Sequence, residues 1–126
     1  MSAAREDTLR PFSVDVEPER DTVRVCPHGD VDLATVGVLR EQVDELTAAG
    51  FVRVLLDLRG VTFLDSTGLR LVLELYRGSR ADGWDLTVIE GPAEVQRVFD
   101  VTGLRPLLPL VDGSGWGNGH WRRAWG

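Results

Sequence analysis

From Val52 to Leu58 the chain reads Val-Arg-Val-Leu-Leu-Asp-Leu. A nearly continuous apolar run of this length is the pattern of a central strand covered on both faces. The segments on either side carry a different period. Val36, Leu39, Val43 and Leu46 are spaced three, four and three apart, which places them on one helical face, and Gly50 supplies a C-terminal stop. Downstream, Leu69, Val72, Leu73 and Tyr76 form the expected buried stripe of a second helix from about Ser66 to Arg80. A buried strand held between two helices requires crossover connections, and therefore a mainly parallel sheet.

The remaining elements follow from the same periods. Phe12, Val14 and Val16 alternate with polar residues as a half-buried strand. The turn Pro18-Glu19-Arg20-Asp21 leads into a second strand at Val23 and Val25, ended by Pro27-His28-Gly29-Asp30. Leu86-Thr87-Val88-Ile89 is a further strand. Gly91-Pro92 opens a third helix faced by Val95, Val98 and Phe99 and closed by Gly103, and Leu107, Leu108, Leu110 and Val111 make a short last strand. The predicted order is β-β-α-β-α-β-α-β in one α/β domain over residues 11–111, with residues 1–10 as a disordered N-terminus. Residues 112–126 read as a tail rich in glycine and tryptophan, either mobile or folded onto the domain or a partner.

Composition excludes several functions. All 14 basic residues are arginine, so phosphate-loop and Schiff-base lysine chemistry is absent. The net charge of −6 argues against broad binding to nucleic acid or an anionic membrane. No apolar run approaches the ~18 residues of a membrane span, and residues 1–10 lack a signal-peptide core. A cytoplasmic setting is expected, in keeping with a single cysteine, Cys26, read as a small packing residue.

Residues 63–69, Phe-Leu-Asp-Ser-Thr-Gly-Leu, place a connector and a helix start directly after the apolar strand. Four readings of Ser66 compete. It caps the helix, as Ser, Thr and Asp all do. It is a nucleophile, for which the chain offers only His28 and His120 as bases and no Gly-x-Ser-x-Gly elbow. It binds a phosphate or nucleotide through backbone amides, where Gly68 is a weak loop and Asp65 repels an anion. Or its hydroxyl is phosphorylated, and the helix start then hosts the phosphate charge. Local physics leaves capping and phosphorylation level. Asp57, read as lying inside its strand, raises a receiver-like rival that the missing lysine disfavours. Asp30 and Asp32 read as turn and helix-start residues rather than a metal pair.

Three segments in order carry a family resemblance: Gly29-Asp30-Val31-Asp32 followed by Ala34-Thr35; Leu56-Asp57-Leu58-Arg59-Gly60-Val61; and Phe63-Leu64-Asp65-Ser66-Thr67-Gly68-Leu69. Over residues 11–111 the chain resembles the anti-sigma factor antagonists, single-domain bacterial members of the STAS family. The resemblance implies a STAS-type fold and a non-enzyme with no cofactor or metal. It implies a transcription regulator that binds an anti-sigma factor acting as a serine kinase and so releases a sigma factor. Ser66 is then the phosphorylated serine that switches binding off, with a serine phosphatase as a further partner. Asp30, Asp32, Asp65, Thr67, Gly68, Leu69 and Arg70 are the implied partner-binding residues. Arg70 departs from the glycine common in relatives. The alternative is a STAS module that senses a nucleotide or other small ligand, or acts as a scaffold, outside a sigma pathway.

Overall fold

The computed structural model describes residues 11–113. The expectations for residues 1–10 and for the tail from residue 114 lie outside the described residues.

The hairpin forms as expected. β1 (Ser13–Glu19) and β2 (Thr22–Val31) pair antiparallel from Ser13↔His28 to Glu19↔Thr22. Their two-residue turn holds Arg20 at φ 59, the left-handed conformation that a tight hairpin requires. Pro18 falls in β1, an edge strand, where a missing N–H is tolerated.

α1 (Val36–Ala48) buries Leu39 and Val43 and leads to β3 (Arg53–Asp57). α2 (Ser66–Asp82) crosses over to β5 (Asp85–Ile89), and α3 (Ala93–Val101) crosses to β6 (Leu110–Val111). The sheet runs β1-β2-β3-β5-β6, parallel except for the hairpin.

Several elements differ from the sequence expectation. Residues 61–64 are a strand, β4 (Val61–Leu64), and not a connector; it follows a 3₁₀ turn at Leu58–Gly60. β4 pairs parallel with the end of β2, and β2 continues through Pro27 to Val31 to meet it. Pro27 lies in the gap between the last β3 pair, Val25↔Leu56, and the first β4 pair, Gly29↔Val61, so it breaks no parallel ladder bond. A register shift after Gly29, at φ 107, completes the change of partner. The last strand is only Leu110–Val111, because Arg105–Leu107 turn as a 3₁₀ helix.

The main core lies between the helices and one face of the sheet. Val23, Val25, Val54, Leu56, Val72, Leu75 and Phe99 belong to it. On the opposite face Leu55 and Ile89 form a small second cluster with Val111 packed beside them. The apolar run of β3 is thus buried on both faces, and among the described residues all the helices pack on one of them. α2 turns its buried track through Gly68, Leu69, Leu71, Val72, Leu75 and Ser79, while Leu73 and Tyr76 sit half-buried at its edge. Gly68 adds no apolar signal yet occupies the track, which shifts the stripe from the position predicted. No helix among the described residues is long and apolar enough to cross a membrane.

Candidate functional site

The start of α2 is built by three constraints. The Asp65 amide donates to the Val31 carbonyl at 3.3 Å, tying the helix start to the end of β2. The Asp65 Oδ1 then accepts from the amides of Thr67 at 2.9 Å and Gly68 at 3.0 Å, and the Asp65 carbonyl accepts from the Leu69 amide at 3.0 Å. Asp65, with extended backbone, is therefore the N-cap. Gly68 supplies the third constraint. A Cβ there would lie 2.6 Å from Leu64 Cδ1 and 2.8 Å from the Val31 carbonyl oxygen. The leucine tip can turn aside, but backbone cannot without moving the strand.

These bonds decide the capping reading of Ser66. It occupies the first helical position, is exposed, and its hydroxyl has no hydrogen bond to any described residue. It does not cap the helix. The expectation that the helix start would host a phosphate through its amides also needs correction, since Asp65 already holds those of Thr67 and Gly68. Among the described residues no histidine stands beside Ser66, and His120 lies outside them. His28 pairs with Asp15 at 2.9 Å and touches the turn at Gly60, away from α2.

The other expected residues divide by depth. Asp30 is exposed, pairs in register with Phe63 of β4, and accepts a 2.6 Å bond from the Thr62 hydroxyl. Asp32 shapes the entry to α1: its Oδ1 accepts from the Ala34 amide at 2.9 Å and its carbonyl accepts from the Thr35 and Val36 amides. Asp30 and Asp32 flank Val31, the residue bonded to Asp65, so these acids share one rim. Thr67 is half-buried and Arg70 exposed, whereas Gly68 and Leu69 are buried beneath the helix start. The last two set the position of the site and do not present a surface. The structure adds Phe63 and Leu33, 52% and 80% exposed, whose apolar side chains flank the acids. Among the described residues no group of three or more His, Cys, Asp or Glu is placed to hold a metal.

Gly68→Ala is expected to destabilise the chain by about 1–3 kcal/mol through overpacking. A thermal melt reads this directly, and an unchanged melting temperature would show that α2 does not rest on Val31 as described.

A second cluster lies on the other face of the sheet, where none of the described helices packs. Asp57 ends β3, and does not sit inside the strand as the sequence suggested; its side chain is 3% exposed. Arg24 reaches it from β2 with Nε at 3.0 Å and Nη2 at 2.6 Å, and Arg59 from the following turn with Nε at 2.9 Å and Nη2 at 2.7 Å. The Arg59 amide adds a 3.0 Å bond, and Glu17 takes the remaining arm of Arg24 at 2.9 Å. Burial disfavours the Asp57 charge, but the Arg59 and Arg24 bonds outweigh it and hold the carboxyl below the usual carboxylate range. These residues line a groove of about 450 Å³ together with Cys26 and His28. Burial is also what pushes the Cys26 thiol up to about 12, against the smaller opposing pull of Arg24. The native protein is therefore expected to react slowly with a thiol reagent at neutral pH and quickly once denatured. Equal rates in a timed labelling assay would contradict this burial.

A family profile described as "Mlab, STAS domain" matches residues 12–111, nearly the whole described chain. The chain belongs to the STAS domain family. Among curated relatives, it is 28% identical over 102 residues to an anti-sigma F factor antagonist of Paenibacillus polymyxa, covering 80% of this chain and 87% of that one. It is also 28% identical over 99 residues to an anti-sigma-B factor antagonist of Bacillus subtilis, covering 79% and 90%. Among solved structures, the anti-sigma factor antagonist SpoIIAA in its unphosphorylated form superimposes with a TM-score of 0.70 at 23% identity, covering 90% of this chain and 97% of that one. The Bacillus SpoIIAA in its phosphorylated form gives 0.67 at 21% identity, covering 90% and 99%. At these identities the two structures establish likeness of fold.

Sequence reasoning placed the STAS rim around Ser66 but missed the Arg24–Asp57–Arg59 cluster. A signal was present. Arg24 interrupts Val23 and Val25, and Asp57 interrupts Leu56 and Leu58. Opposite charges set in two apolar runs are expected to meet when those runs become neighbouring strands.

Proposed function

We propose that this STAS domain is an anti-sigma factor antagonist. It binds an anti-sigma factor that is also a serine kinase, frees a sigma factor, and is switched off when that kinase phosphorylates Ser66. A serine phosphatase restores the binding form. The observation that carries the reading is the exposed Ser66 hydroxyl, released from capping by Asp65 and held at a rigid helix start. The relatives named as antagonists and the matched fold support it.

The chemistry asks little of this chain. Ser66 Oγ attacks the γ-phosphorus of the kinase's ATP, ADP leaves, and the hydroxyl proton passes to a base on the kinase. The STAS domain presents the nucleophile and a docking rim: the acids Asp30, Asp32 and Asp65, with Thr67 and Arg70 beside them and Leu33 and Phe63 as apolar contacts. Gly68 and Leu69 hold that rim in place from beneath.

The ligand-sensing alternative finds its best support in the groove on the sheet face. There, however, Arg24, Arg59 and Asp57 already satisfy one another, which leaves them little to offer a ligand.

The test is site mapping. Incubated with ATP in extract of its own host, the chain should acquire one phosphate in the tryptic peptide Gly60–Arg70, localised by tandem mass spectrometry to Ser66. Phosphate on Thr62 or Thr67 instead, or none, would overturn the assignment.

A further inference from the structure

We propose that Arg70 is an intramolecular partner for a phosphate on Ser66, so that the phosphorylated domain carries its own counter-charge. The inference rests on Ser66 being an acceptor and concerns what happens to the phosphate once it is there.

Ser66 is the first residue of α2 and Arg70 lies four residues on, so both belong to one face of the helix, with Cβ atoms about 5–6 Å apart. Helical side chains incline toward the N-terminus, which leans Arg70 over the turn that holds Ser66. An anion four residues before a cation is the favourable order along the helix dipole. Both side chains are exposed.

The competing partners are occupied. Arg70 has no hydrogen bond or ion pair with any described residue. Glu74, its own neighbour one turn on, pairs with Arg40 of α1. The amides of Thr67, Gly68 and Leu69 are bonded to Asp65. A phosphate on Ser66 therefore meets the Asp65 carboxylate on one side and the Arg70 guanidinium on the other. The planar fork of arginine matches two phosphate oxygens at once. Pairing stabilises the dianion, and it reduces the negative field that a docking partner meets. Arg70 thereby sets how strongly one phosphorylation weakens binding.

Phosphoserine installed at position 66 by codon reassignment, without any kinase, isolates this claim. Phosphorus-31 NMR titration of that protein is compared with its Arg70→Gln and Arg70→Lys forms. The second ionisation of the phosphate should occur about 0.3 pH unit or more lower with arginine than with glutamine. Lysine should restore part of the shift. The difference should shrink in about 1 M salt, where the screening length is ~3 Å. Coincident midpoints for arginine and glutamine would overturn the proposal. Failure of the host kinase to label Ser66 would count against the proposed function alone.

Discussion

Asp57→Ala is expected to remove about 3–5 kcal/mol of folding stability, a large share of the ~5–15 kcal/mol typical of a domain. The carboxylate joins two arginines from separate elements, and Arg24 is itself only 9% exposed. Taking the acid away leaves the buried guanidinium without its main partner. The loss should show as a lower urea midpoint with little change in slope. A double replacement, Arg24→Leu with Asp57→Leu, should cost less than the sum of the singles, because it removes both buried charges together. The same carboxylate makes a pH signature. Its folded pKa lies below its unfolded value of about 3.9. Its contribution is therefore complete above about pH 4 and is lost as pH falls from there through the folded pKa. The urea midpoint of wild type should fall over that range, and Asp57→Asn should fall less steeply. An Asp57→Ala midpoint matching wild type would show that the cluster does not hold β2 to β3.

Phosphorylation of Ser66 is expected to weaken binding to the anti-sigma partner by ~100-fold or more while leaving the domain folded. The modification adds about −1.5 to −2 charges at an exposed helical position beside Asp65. It breaks no hydrogen bond, since the exposed hydroxyl makes none with the described residues, and at the helix N-terminus the charge does not oppose the helix dipole. The partner, however, must bury or face the new charge. A cost of ~3 kcal/mol corresponds to a factor of about 100 in affinity. Ser66→Asp, with a single charge and a shorter reach, should lose less. Calorimetric titration gives the affinities and circular dichroism melts give the fold. A phosphorylated chain that binds equally well, or that binds poorly because it has unfolded, would contradict this account.

Much of the fold was legible because burial and period agree. β3 stood out because every residue of Val54–Leu58 is buried, and α1 because Leu39 and Val43 sit on one face. β4 was hidden because Thr62 and Phe63 are both exposed between buried Val61 and Leu64, so the segment shows no period of two. The continuation of β2 was hidden by Pro27, whose effect depends on which neighbour the strand has at that point. The site was half legible. Asp65, Ser66 and Thr67 are all good caps, and sequence alone does not rank them. The choice is made by tertiary contacts, through the Val31 carbonyl on the Asp65 amide and the fit of Gly68 against Val31. Arg24 and Asp57 are 33 residues apart, and only the parallel pairing of β2 with β3 brings them together.

The most direct test of the central claim is a quantitative pull-down from extract of the host. It uses wild type, Ser66→Ala, and the chain carrying phosphoserine at 66, with retained proteins counted by mass spectrometry. An anti-sigma factor should be retained by wild type and by Ser66→Ala, and depleted at least about tenfold on the phosphorylated chain. Equal retention by all three forms, or no anti-sigma factor on any of them, would contradict it.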